Sequence, residues 1–165
     1  MTLKTKITEM FGIKYPIASA AMGPYRTCEL ATAVTEAGGL GMISFSNRSM
    51  DGFEKDQFEG LKKNLNYVVE HTDGIFGFNI ITSRNVQNCD EIITKSMDYI
   101  NENTRIKEQA LYALSSAGSS ARFPKNKSFQ KLRANSNIKH FHVAPALWLA
   151  DKCMANGVDG LVVTG

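Results

Sequence analysis

Short, mostly apolar runs of strand length recur along this chain, each separated from the next by enough residues for a helix. No other feature of the sequence narrows the fold as far. The runs are residues 16–21 (PIASAA), 40–45 (LGMISF), 75–81 (IFGFNII), 110–114 (ALYAL), 140–143 (HFHV) and 160–163 (GLVV). They lack strict polar alternation, as expected of parallel strands buried on both faces. The intervening segments have helical spacing. In CELATAVTEAGG, Leu30, Ala31, Val34 and Ala37 fall on one face and the glycine pair stops the helix. A longer helix is expected from Asp51 to Glu70, with Phe58, Leu61, Leu65 and Val68 inward. Three more are expected over Asp90 to Glu102, Ser128 to Ala134 and Ala146 to Asn156. Strand and helix alternate throughout, which calls for right-handed βαβ units and a parallel sheet.

Such units build either an open doubly wound sheet or a closed (β/α)8 barrel. The chain has 165 residues and six strand candidates, whereas a whole barrel takes about 250 residues. Length therefore favours the open sheet. The first strand, however, leads into MGPYRTCEL, which is neither of the usual glycine-rich phosphate loops of open sheets. These considerations leave both architectures standing. No linker or low-complexity tract divides residues 1–165, so one domain is expected.

Composition removes several function classes. At 43% hydrophobic and 21% charged residues the chain can bury a core, yet no apolar stretch nears the roughly 18 residues of a membrane helix. MTLKTKITEMFGIKYP lacks the apolar centre of a signal peptide, so a cytoplasmic protein is expected. Cys28, Cys89 and Cys153 are odd in number and widely spaced, which argues for reduced, packed thiols over disulfides or zinc. A net charge of +3, with no basic stripe interleaved with aromatics, gives no footprint for nucleic acid.

Several residues carry chemistry. Asn79 interrupts an apolar strand and offers both a donor and an acceptor, or serves a turn. His140 and His142 alternate, so they share one face of their strand; either can act as a base, but no third ligand accompanies them for a metal. The stretch SSAGSSARFPK can cradle an anion through backbone N–H groups and Arg122, though serine and glycine are ordinary loop residues. Cys153, beside Lys152 in a helix, is expected to be buried and inert. Trp148 and Leu149, just after Pro145, are expected to start a helix packed on the sheet.

Beyond these local readings, ITEMFGIKYPIASAAMG followed by ELATAVTEAGGLGMIS resembles the opening of nitronate monooxygenases and of the related flavin-dependent enoyl-acyl-carrier-protein reductases. FGFNI resembles their third strand, and FHVAPALWLADKCMANGVDGLVVTG their fifth and sixth. The likeness is collinear and weakest over residues 46–72 and 119–137. It implies a (β/α)8 TIM-barrel type fold, of which this chain carries the first six βα units, with FMN at the carboxyl-terminal mouth. Matched position by position, the resemblance makes Ala21, Met22 and Gly23 the backbone wall against the flavin ring. Asn79 becomes a hydrogen-bonding partner of the ring, and Ser116 and Gly118 small residues beside it.

The resemblance also implies an activity: oxidation of an alkyl nitronate by dioxygen on a flavin. The alternatives are reduction of an enoyl thioester with a pyridine nucleotide, or a non-catalytic domain that associates with a partner chain. The family's catalytic histidine and its FMN-phosphate glycines are expected after Gly165, which leaves His142 as a weak substitute base. The chain then reads either as a piece of a longer protein or as a shortened member. Six strands without closure leave sheet edges that a second copy or another chain is expected to cover.

Overall fold

Each element of the computed structural model, which describes residues 3–164, starts and stops where local chemistry directs. Helix α1 (Lys6–Phe11) opens on a capping box in which Thr8 N donates to Thr5 Oγ1 at 3.2 Å and Thr5 N to Thr8 Oγ1 at 2.8 Å. Gly12, at φ 65°, ends it in the left-handed region. Helix α2 (Cys28–Glu36) and strand β1 (Gly41–Ile43) form the first helix–strand pair. A two-stranded hairpin, β2 (Arg48–Ser49) and β3 (Gly52–Phe53), follows, and then α3 (Gln57–His71). The rest of the chain alternates: β4 (Phe76–Ile81), α4 (Cys89–Glu102), α5 (Thr104–Gln109), β5 (Ala110–Ser116), α6 (Arg122–Lys125), α7 (Lys127–Asn135), β6 (Lys139–Ala144), α8 (Leu147–Ala155) and β7 (Gly160–Val163).

The main sheet has the order β1-β4-β5-β6-β7, and every pair in it is parallel. This is the parallel α/β arrangement expected of TIM-barrel units laid down in sequence. Two layers of side chains sandwich the sheet. On the helix side, Ile43, Phe76, Phe78, Ile80 and Ala113 pack with Leu61, Leu65, Ile93, Met97, Phe123 and Phe129. On the inner side, α1 lies across the strands, and Phe11 meets Tyr112 edge-on at 5.4 Å while Tyr112 and Phe141 sit 4.7 Å apart. Gly77 and Gly160 make room for these rings, since a Cβ on Gly77 would come within 2.7 Å of Tyr112 and one on Gly160 within 2.2 Å of Phe141. Phe141→Ala should therefore lower stability by about 3–5 kcal/mol, read as a shift in the urea midpoint at unchanged slope.

Three expectations need correction. The run at 16–21 is not a strand; it makes one parallel bridge, Ala18 to Leu40, with Ile17 O accepting from Leu40 N at 2.8 Å. Past the bridge Met42 N donates to Ser19 Oγ at 2.9 Å instead of to backbone, and on the other side Pro16 has no N–H to give, so pairing stops after one bridge. The long helix begins at Gln57 and not at Asp51, because Asp56 caps it by accepting from Glu59 N at 3.0 Å. Residues 48–53 turn back as the hairpin, with Gly52 at φ 119°. Helix α2 buries Cys28, Ala31 and Thr35 and leaves Leu30 exposed. Its closest approach to the sheet is Ala31 on Gly41, where an added Cβ would lie 2.0 Å from Ala31 O, and that contact sets the rotation of the helix.

Candidate functional site

The carboxyl ends of the parallel strands gather most of the polar groups that interrupt the apolar runs. At the end of β1, three serine contacts fold the loop after the first run over the strand. Ser44 N donates to Thr27 Oγ1 at 2.7 Å, Ser44 Oγ to Tyr25 O at 2.5 Å, and Ser46 Oγ to Pro24 O at 3.1 Å. Gly23 lies against Phe45, whose carbonyl oxygen would be 3.1 Å from a Cβ there. Ala21 packs on the inner-face cluster, while Met22 projects outward at 65% exposure.

Asn79 sits on the inner face of β4, beside Leu114 of β5 and one step beyond the Ile43–Phe78 pair. It is buried, and its Oδ1 accepts from Ser116 Oγ at 3.1 Å. Its amide NH2 makes no hydrogen bond among the described residues. Thr82 N donates to Ser116 O at 2.9 Å, and Gly118 is pressed so tightly on Thr82 that a Cβ would fall 2.0 Å from Thr82 O. The 21–23 loop, Asn79, Ser116 and Gly118 thus all lie at one end of the sheet.

The histidines occupy a different place. His140 and His142 do share a face, as their alternation requires, but it is the helix-facing side. His140 is packed between Phe123 at 4.8 Å and Phe129 at 5.7 Å. Between the two rings lies Ser115, its Oγ 2.7 Å from His140 Nε2 and 2.6 Å from His142 Nδ1. A backbone contact with Gly118 favours the charged form of His142, as a carbonyl accepting from the ring does. Ser115 Oγ bridges the two rings, donating to one and accepting from the other. His140 Nδ1 is left without a partner. Burial, with the neighbouring His142 second, pushes the His140 pKa down from 6.5 to about 3, and burial pushes His142 in the same direction. His142 therefore belongs to the buried helix-side layer and is not a base at the mouth. Its Nδ1 is taken by Ser115, and its ring points away from the inner face, opposite to Phe141.

A family model described as nitronate monooxygenase matches residues 4–165. The chain belongs to the nitronate monooxygenase family. A probable nitronate monooxygenase of Staphylococcus aureus strain N315 is 26% identical, over 98% of this chain and 49% of that protein. A second, from Staphylococcus saprophyticus, is 35% identical over 48% of this chain and 20% of its own length. FabK from Thermotoga maritima superposes with a TM-score of 0.73 at 27% identity, covering 99% of this chain and 45% of that one. The chain spans about half the length, or less, of the relatives it matches. Within this nitronate monooxygenase-family chain, no helix among the described residues is long and apolar enough to cross a membrane. No cluster of three His, Cys, Asp or Glu suited to a metal occurs among them either.

Two other expectations divide. Cys153 is fully buried. Trp148 is not packed on the sheet: it is 69% exposed, with Leu147 at 79%, because Cys153, further along α8, is the residue that docks the helix and the first turn overhangs. Sequence reasoning missed Thr82, and it placed Ser115 only within the 115–125 loop stretch, not between the histidines. Ser115 had a signal: in the pair Ser115-Ser116 adjacent strand residues face opposite sides, so one of the two had to meet the histidine layer.

Proposed function

We propose that this chain contributes the 21–23 loop and the ends of β4 and β5 as walls of an FMN site in an oxidoreductase that oxidises alkyl nitronates with dioxygen. The observation that carries the proposal is the Asn79–Ser116 pair at the strand ends. Ser116 holds the amide oxygen, which fixes the side-chain orientation and leaves the NH2 without a partner among the described residues and open to a ligand at the strand ends. A flavin edge, rich in carbonyl and ring-nitrogen acceptors, suits such a donor. Bound FMN supplies electron acceptance and reactivity toward dioxygen.

The chain's own groups do the rest. Backbone at Ala21, Met22 and Gly23 forms a wall on which a flat ring can rest, and the Met22 thioether offers a polarisable apolar contact. Gly118, pressed on Thr82, keeps the opposite lip free of side-chain bulk. No histidine described here reaches the mouth to remove a carbon-bound proton.

The test is titration of purified protein with FMN, following flavin fluorescence. Saturable quenching is expected, and Asn79→Leu, which keeps the volume but removes the donor, should raise the Kd about tenfold. A colourless protein whose fluorescence titration never saturates sinks the proposal and favours a domain that only associates with a partner chain. The likeness to FabK favours a second reading, reduction of an enoyl thioester. Enoyl-dependent oxidation of NADH or NADPH by flavin-loaded protein distinguishes it from nitronate-dependent oxygen consumption.

A further inference from the structure

The topology brings together, just outside the Asn79–Ser116 pair, basic residues from three separate segments. Arg84 comes from the loop after β4, Arg122 from the start of α6 after β5, and Lys152 from α8 after β6. With Ser119 and the Ala117–Gly118 turn they line a cleft of ≈ 400 Å³. Arg84, Ser119 and Arg122 also line a neighbouring cleft of ≈ 700 Å³ that runs on past Lys125 and Lys127, so the two form a continuous basic groove.

This is more than scattered surface charge. The cleft walls are pinned: Gly118 presses on Thr82, and Asn156 Nδ2 at the end of α8 donates to Ser120 Oγ at 2.9 Å, which ties the helix bearing Lys152 to the loop bearing Ser119. Ala117 holds a left-handed conformation at φ 52°, unusual for a residue with a Cβ. Ser119 Oγ accepts from Ala121 N at 3.3 Å, which leaves its hydroxyl proton free to donate. The one carboxylate lining either cleft is Asp90 in the larger, 3.1 Å from Arg122. Arg84 and Lys152, which line the smaller cleft, have no ion-pair partner among the described residues, so both are available to an anion.

We propose that this groove binds the pyrophosphate group of a phosphorylated ligand. Arg122 is held by Asp90, Arg84 and Lys152 line the same cleft, and Ser119 donates from the turn. Converging guanidinium, ammonium and hydroxyl donors match the oxygens of a diphosphate, which offers more charge and more acceptors than a carboxylate. The assignment goes beyond the flavin reading and does not depend on it, because the groove is complete without Asn79 or Met22.

The experiment is NMR titration of flavin-free protein with inorganic pyrophosphate at constant ionic strength, so that general screening is held fixed. Saturable shifts at the Gly118, Ser119 and Arg122 amides are expected. The double variant Arg84→Gln, Lys152→Gln, both exposed positions, should keep the parent's circular dichroism and raise the Kd at least tenfold. Parallel titrations with ADP and coenzyme A identify whether a nucleotide diphosphate or the pantetheine-linked one is preferred; tighter binding of either than of pyrophosphate, at the same amides, supports the assignment. Shifts that do not saturate, or a double variant that binds as well as the parent, overturn it. FMN retention is measured on separate samples, so loss of the pyrophosphate site and failure of the flavin reading are told apart.

Discussion

Gly118→Ala is expected to lower stability by about 3 kcal/mol and to weaken binding at both the proposed flavin lip and the basic groove. The added methyl would sit 2.0 Å from Thr82 O, 2.2 Å from Thr82 C and 2.5 Å from Ser83 N. All three are backbone atoms, so no rotamer change relieves the clash. Either the β4 loop or the β5 loop must move, and each carries residues of the groove. Chemical denaturation measures the first effect, and pyrophosphate titration the second. A variant that melts within about 2 °C of the parent would show that the two loops are not packed as described.

The second large effect concerns acid. The native chain keeps His140 neutral down to about pH 3, against an ordinary value of 6.5. Between those limits the unfolded chain takes up a proton that the folded chain refuses, so stability is full above pH 6.5 and falls as the pH drops. The slope is about 1.4 kcal/mol per pH unit for one such histidine, or about 2 kcal/mol by pH 5, and His142 steepens it. Ser115→Ala should remove about 2–4 kcal/mol at neutral pH by stripping both rings of their shared partner. His140→Phe, filling the same space between Phe123 and Phe129, should flatten the acid limb. Urea midpoints at several pH values read all three; an unchanged acid limb in His140→Phe would refute the assignment.

Much of the fold was legible because buried parallel strands leave apolar runs that polar helices punctuate. Strands β4 to β7 lie within two residues of where the runs predict them, and so do α4, α7 and α8. What failed was what depends on neighbours. The 16–21 run reads as a strand by composition, but a strand forms only as far as it is paired. The hairpin at 48–53 carries an Asp51-Gly52 turn signal without apolar alternation around it, and the helical spacing further on absorbed it. For the histidines, period two places both on one face but is silent about which face; the aromatic residues of α6 and α7 decide that, and they lie earlier in the chain. Asn79 and Ser116 were visible as polar breaks at apolar strand ends. Arg84 and Lys152 were not, because residues 84, 122 and 152 share nothing in sequence and meet only through the strand order.

That strand order has a consequence for how the molecule is made. Every strand of the main sheet lies beside the one emitted just before it, so during synthesis each new βα unit can dock on a finished surface as it emerges. Helix α1 is the exception: emitted first, it finds its aromatic partners Tyr112 and Phe141 only after most of the chain has followed. The helix-side layer should thus be assembled progressively, while closure of the inner layer waits for nearly the last strand, and Phe11 marks the final cooperative step.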